Sequence, residues 1–261
     1  MSAAAIGAQG EPSARRAELA RRLDAVRARI AAACAAVARD PGAITLVAVT
    51  KFFPPVDLAH LAALGVTDVG ESRDQDAAGK LADLAAFDPG ARAALRVHFV
   101  GQVQTNKAAS ITRYADVVHS VDRPRLVDAL AKGAARAGRR LDVLIQVDLQ
   151  EAVAGGGDDA GTRARRARGG VPPDGVAALA ECVAATDTLR LAGLMAVAPL
   201  GGDPEEAFAR LHDLHGCLLA GHPQASVLSA GMSDDLEAAV AHGATHLRVG
   251  TAILGSRPPD R

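Results

Sequence analysis

Short apolar, often β-branched runs recur along the chain: ITLVAVTK (44–51), TDVGES (67–72), RVHFVG (96–101), DVVHSVD (116–122), DVLIQVD (142–148), LRLAGLMAVA (189–198), SVLSAG (226–231) and HLRVGTAIL (246–254). Several are apolar throughout rather than alternating, the pattern of strands buried on both faces. Between them lie segments with helical spacing, among them DLAHLAALG, RPRLVDALAKGAARAG, DGVAALAECVAA, DPEEAFARLHDLHGCLLAG and SDDLEAAVAHG. Before the first run, residues 13–39 carry Leu19, Leu23, Val26, Ile30 and Val37 along one helical stripe.

Buried strands alternating with helices imply parallel βαβ units, and eight of them predict an α/β fold, a single (β/α)8 TIM-type barrel with an extra N-terminal helix. An open doubly wound sheet is the other arrangement this alternation allows. Residues 1–12 read as a disordered tail and 13–257 as one barrel domain including the N-terminal helix. The widest gap, 149–175, is Gly- and Arg-rich and too long for an ordinary connection, so it is expected as a mobile loop on the strand-5 rim.

Composition narrows the partner. With 29 basic against 30 acidic residues, nothing predicts a nucleic-acid or anionic-membrane footprint, and a small molecule is the expected ligand. No long apolar run or leader pattern appears, which predicts a cytoplasmic protein, and a monomer is expected. The three cysteines, Cys34, Cys182 and Cys217, have no paired spacing and are read as buried small hydrophobes.

Barrel chemistry gathers where strands end at the carboxyl face. Lys51 closes the first run, in a chain that writes nearly all its cations as arginine. An amine desolvated on its strand side has a lowered pKa and can attack a carbonyl; a lysine that caps the strand and snorkels to water is the structural alternative. After runs seven and eight, Gly231–Met232–Ser233 and Gly250–Thr251 offer hydroxyls and backbone N–H groups, the usual place of a barrel phosphate site. Arg248 interrupts an apolar strand and needs an acceptor, either a ligand or a core carboxylate such as Asp148. A reactive lysine, a phosphate cup and an inward arginine describe a site for an aldehyde carrying a phosphate, and pyridoxal 5′-phosphate (PLP) is such a molecule.

Four motifs carry a family resemblance: LVAVTK, VHFVGQVQTNK, LRLAGLMAVAP and SAGMSDDLEAAVAHGATHLRVGTAILGSR. Through them the chain resembles the pyridoxal phosphate homeostasis (YggS/PROSC) family over about residues 15–257, with the fold-type III barrel of the alanine racemase N-terminal domain. The resemblance implies that Lys51 holds PLP as a Schiff base, that Ser233 with the amides of Gly250 and Thr251 holds its phosphate, and that Arg248 faces the pyridine nitrogen. Met232 and Ser72 complete the expected cofactor-binding set; Ser72 stands where the family usually has Asn.

His98 reads as a satisfied core histidine, and His212/His215 and His242/His246 as helix-surface residues rather than metal ligands, so no metal site is expected. Lys107 is placed at the start of the helix after strand 3. An arginine beside the ring nitrogen disfavours ring protonation and carbanion chemistry. The single tyrosine, Tyr114, read as lying on a helical stretch before strand 4, is not placed to act as a second acid/base. No catalytic residue is therefore assigned. The expectation is a PLP carrier without robust turnover that hands the cofactor to PLP-dependent apoenzymes by transient contact. The alternatives are a PLP-dependent amino-acid racemase and a phosphate-binding barrel without covalent chemistry.

Overall fold

The computed structural model describes residues 10–150 and 169–257, with side chains from residue 14 onward. Eight parallel strands close into a barrel in sequence order: β1 (Thr45–Val49), β2 (Asp68–Glu71), β3 (Arg96–Phe99), β4 (Val117–Val121), β5 (Leu141–Gln146), β6 (Leu189–Met195), β7 (Val227–Ser229) and β8 (His246–Val249). Closure is made by β1 against β8, where Val47 stands opposite Arg248. All eight expected runs form these strands, but the last one splits. Gly250 ends β8, and Thr251–Leu254 turns into a helix.

The outer layer consists of α1 (Gly10–Ala36), α2 (Pro55–Ala63), α3 (Asp74–Phe87), α4 (Pro89–Ala94), α5 (Ala108–Ile111), α6 (Pro124–Arg136), α7 (Val176–Ala184), α8 (Pro204–Gly221), α9 (Leu236–Ala241) and α10 (Thr251–Leu254). Helix α1 begins inside the stretch expected as a tail, which corrects that boundary; residues 1–9 lie outside the described residues. Its stripe Leu19, Leu23, Val26 and Ile30 is buried against α9 and α10, whereas Val37 is exposed beyond its end. Of the long connection expected after strand 5, residues 151–168 lie outside the described residues, and Val171 returns to bridge Val147.

Because side chains alternate across each strand, one set packs between barrel and helices and the other fills the lumen. The lumen divides chemically. Val117, Leu144, Ala192 and Met195 form a small apolar cluster on the β4–β6 side. Polar groups share the lumen with it: Asp68, His98, His119, Ser229 and Arg248, all buried. At Gly193, where β6 shifts register against β5, a Cβ would lie 1.8 Å from the Val227 carbonyl oxygen, so only glycine lets β7 approach.

Candidate functional site at the carboxyl rim

Lys51 lies two residues past β1 in the turn to α2, and its side chain is exposed. The strand-side desolvation expected for it is therefore absent. The backbone leading to it is instead held from below. Buried Lys80 donates to the Thr50 carbonyl at 2.8 Å and to Glu71 Oε1 at 2.7 Å, and Thr50 Oγ1 donates to the same carboxylate oxygen at 2.6 Å. A salt bridge and two hydrogen bonds thus fix the residue preceding Lys51 to the end of β2 and the middle of α3.

The next residue, Phe52, adopts φ 72°, a left-handed conformation unfavourable for a bulky side chain. Its ring gathers three cations: Arg257 at 4.2 Å, Arg73 at 4.9 Å and the Lys51 amine at 5.8 Å from the centroid. Cations collected over one ring give this side of the rim a positive potential that draws anions.

The turns after β7 and β8 meet beside it. Ser233 Oγ accepts from the Ala252 N–H at 3.3 Å, joining the two turns, and the Met232 N–H donates to Asp235 Oδ1 at 2.6 Å. Gly231 has φ 88°, and a Cβ there would meet Ala239 Cβ at 2.6 Å, so this tight turn admits no side chain. A Cβ on Gly250 would lie 3.3 Å from the Val49 carbonyl oxygen, which places this glycine against the end of β1. Met232 is half-exposed, and Ser72 is packed so that Gly101 faces its backbone without room for a Cβ. The seven expected site residues thus all stand at or near the strand ends of the carboxyl side, with Arg248 below them.

Arg248 is buried on β8. It donates to Ser229 Oγ at 2.6 Å and to the Ala196 carbonyl at 2.8 Å. Burial pulls its pKa down to about 10 against the charge of Asp235, and among the described residues no carboxylate pairs with it. The alternative partner, Asp148, instead accepts from the Gln150 N–H at 3.0 Å. A cleft lined by Gln146, Asp148, Val197 and Ala198 opens on the same rim.

Other expectations shift. His98 is a core histidine, as read. His215, however, is buried and bonded to the Ala225 carbonyl, and His246 stands on β8, so neither is a helix-surface residue; burial lowers the His246 pKa to about 4. His242 pairs with Glu205 at 2.7 Å. Tyr114 lies in the turn after α5, with its hydroxyl 3.3 Å from Asp74; burial and that carboxylate push its pKa up. Lys107 ends the short 3₁₀ turn Thr105–Lys107 before α5, 3.9 Å from Asp74. Only Cys34 is buried; Cys217 is exposed and Cys182 intermediate. Among the described residues no cluster of metal-ligating side chains appears and no helix is long and apolar enough to cross a membrane.

Sequence reading did not single out Lys80, Phe52, Arg73 or Arg257. Lys80 carried a usable signal, being one of four lysines in an arginine-rich chain. The cations around Phe52 had none, because they come from three separate connections.

The donor set is one exposed amine, a hydroxyl beside glycine-containing turns and a buried cation below them. It suits a small anion that also carries an electrophile. Comparisons with known proteins agree. Residues 22–258 match the family described as alanine racemase, N-terminal domain. A "Pyridoxal phosphate homeostasis protein" of Mycobacterium bovis is 44% identical, with 93% of this chain and 94% of the relative covered. The protein of the same name in Escherichia coli is 32% identical, with 92% and 97% covered. PipY of Synechococcus elongatus, solved with PLP bound, superposes with TM-score 0.74 at 29% identity, covering 91% of this chain and 100% of that one. Alanine racemase from Corynebacterium glutamicum, at 15% identity and TM-score 0.64, covers 91% of this chain and 60% of its own, and shares the fold. By its barrel, its carboxyl-rim residues and these relatives, the chain belongs to the pyridoxal phosphate homeostasis family, within the wider alanine racemase N-terminal domain family.

Proposed function

We propose that this chain binds PLP in the mouth of the barrel and takes part in intracellular PLP homeostasis, holding the cofactor covalently and releasing or transferring it without robust turnover. The observation that carries this reading is the meeting of Lys51, the Ser233 turn and Gly250–Thr251 on one rim, above a buried Arg248 whose acceptors among the described residues are neutral oxygens. PipY with PLP bound and the homeostasis proteins that match the chain support it.

Bound PLP supplies an aldehyde that condenses with amines and an aromatic ring that can accept electron density. Lys51 is the residue whose Nζ would hold the cofactor through its aldehyde carbon. Ser233 Oγ and the Gly250 and Thr251 amides would donate to the phosphate, and Ser72 and Met232 would border the ring. Arg248 would face the ring nitrogen, where a cation disfavours ring protonation, weakens electron withdrawal and so disfavours carbanion chemistry. The exposure of Lys51 favours exchange: water, and an acceptor enzyme's own lysine, can reach the bond. That access is compatible with the proposed delivery to apoenzymes by transient contact in the cytoplasm.

A PLP-dependent racemase is the competing reading, since the fold is shared with alanine racemases. It requires an acid/base opposite Lys51, and the Tyr114 hydroxyl is instead hydrogen-bonded to Asp74. The test is an absorption spectrum of purified protein titrated with PLP. A visible band in the wild type that Lys51→Ala abolishes supports the reading; an unchanged band in Lys51→Ala overturns the covalent assignment. Time-dependent loss of optical activity from an amino acid would favour the racemase.

A further inference from the structure

Beneath Arg248, hydrogen bonds cross the lumen without interruption. Ser229 Oγ lies 2.6 Å from Arg248 and 3.0 Å from His119 Nδ1. His119 Nε2 lies 2.8 Å from His98 Nδ1, and His98 Nε2 lies 2.8 Å from Asp68 Oδ1. Asp68 borders a cleft at the opposite, amino end of the barrel, with Arg27, Thr45 and Thr67.

The two ends fix the direction of every bond. Arginine only donates, so Ser229 Oγ accepts from it and turns its own O–H to the bare Nδ1 of His119. His119 then carries its proton on Nε2 and donates to Nδ1 of His98, and His98 donates from Nε2 to the carboxylate, which only accepts. The reverse direction needs a protonated ring close to a buried arginine that pairs with no carboxylate among the described residues, an unfavourable concentration of positive charge.

We infer that Ser229, His119, His98 and Asp68 form a one-directional relay, a set of positioning residues that supplies Arg248 with a remote counter-charge and fixes which of its N–H groups remain for the cofactor. The inference rests on the reading that Arg248 faces bound PLP. Burial holds the His119 pKa well below its ordinary value, with the charges of His98, Arg248, His246 and Arg96 adding to it. At the far end, burial pushes the Asp68 carboxyl up, and bonds from His98 and Thr67 outweigh this and hold it below the usual range. The His246 ring, 6.1 Å from that of His98, and Arg96, which pairs with Asp142, flank the relay without joining it. Because each bond depends on the next, a change of charge at Asp68 is felt at Arg248 across the barrel.

Two measurements test the relay. In the unliganded protein at neutral pH, ring ¹⁵N resonances assigned by their loss in His98→Gln and His119→Gln should show both rings protonated on Nε2 with Nδ1 bare. Either ring protonated on Nδ1 overturns the relay. With PLP, Asp68→Asn keeps an acceptor for His98 and removes the charge, while the Thr67 contact reverses so that the Thr67 hydroxyl accepts from the new amide. The pH at which the visible band of the lysine-bound cofactor changes should then fall by about half a pH unit. Ser229→Ala, which cuts the relay next to Arg248, should move it in the same direction and weaken PLP binding about tenfold. An unmoved profile in both variants, with wild-type melting, overturns the relay. Absence of any band in the wild type would instead sink the cofactor reading, and the ring tautomers would still judge the relay.

Discussion

Lys80 and Arg248 are both buried cations bound to the barrel wall, and the protein treats them in opposite ways. Lys80 sits 2.7 Å from the Glu71 carboxylate and spends its other contact on the Thr50 carbonyl, so its charge is neutralised locally. Arg248 has a hydroxyl and a carbonyl, neither charged, and its nearest chain of partners reaches a carboxylate only at Asp68. A closed ion pair has no uncompensated charge left for a ligand and serves to fix the backbone before Lys51. A cation with neutral partners is costly to bury unless a further group makes use of it, and its place below the glycine turns says where that group sits.

Breaking the closed pair should have the largest effect. Glu71→Ala leaves Lys80 buried without its counter-ion and should cost about 3–5 kcal/mol of stability, read as a lower urea midpoint. The double variant Glu71→Leu/Lys80→Met should recover most of it; no recovery would mean that the carboxylate matters for some reason other than the pair.

Acid probes the lumen. The folded pKa of His246 is about 4, depressed by burial, against about 6.5 in the unfolded chain, so the unfolded state binds the extra proton first as pH falls. The neutral ring's contribution is full above about pH 6.5 and is lost between there and pH 4, at most about 3 kcal/mol. His119 and His215, also lowered by burial, act in the same direction. Melting temperature should fall over this range in the wild type and fall less in His246→Gln. An equal slope in the two proteins would take His246 out of the account.

Replacing the open cation should be milder. Arg248→Met removes a buried charge that has no paired carboxylate, and stability should stay within about 1 kcal/mol of wild type while PLP binding weakens. A loss as large as that of Glu71→Ala would erase the contrast between the two cations. Smallest is Ser233→Ala, which removes one hydroxyl from the proposed phosphate cup: the same fold stability and PLP binding about tenfold weaker in a titration. Unchanged affinity would move the phosphate elsewhere.

The barrel could be read from the chain because its cause is periodic: apolar β-branched runs separated by amphipathic segments, with several strand ends marked by a glycine, lysine or serine. The rim residues were legible for the same reason, since strand ends are where a barrel exposes its chemistry. The first helix was misjudged at its start because Gly10, Glu11 and Pro12 carry no apolar stripe, and Cys182 and Cys217 because burial depends on neighbours rather than on residue type.

What the sequence by itself determined, then, was the order of elements and the residues at their ends, both set by local pattern. Only the tertiary structure decided that Lys51 is exposed, that Lys80 holds the residue before it, that Phe52 gathers arginines from two other connections, and that Arg248 reaches Asp68 through Ser229, His119 and His98. Those partners come from strands and connections far apart in the chain. Barrel closure and strand register bring them within hydrogen-bonding or ring-stacking distance, and no local pattern of residues encodes that proximity.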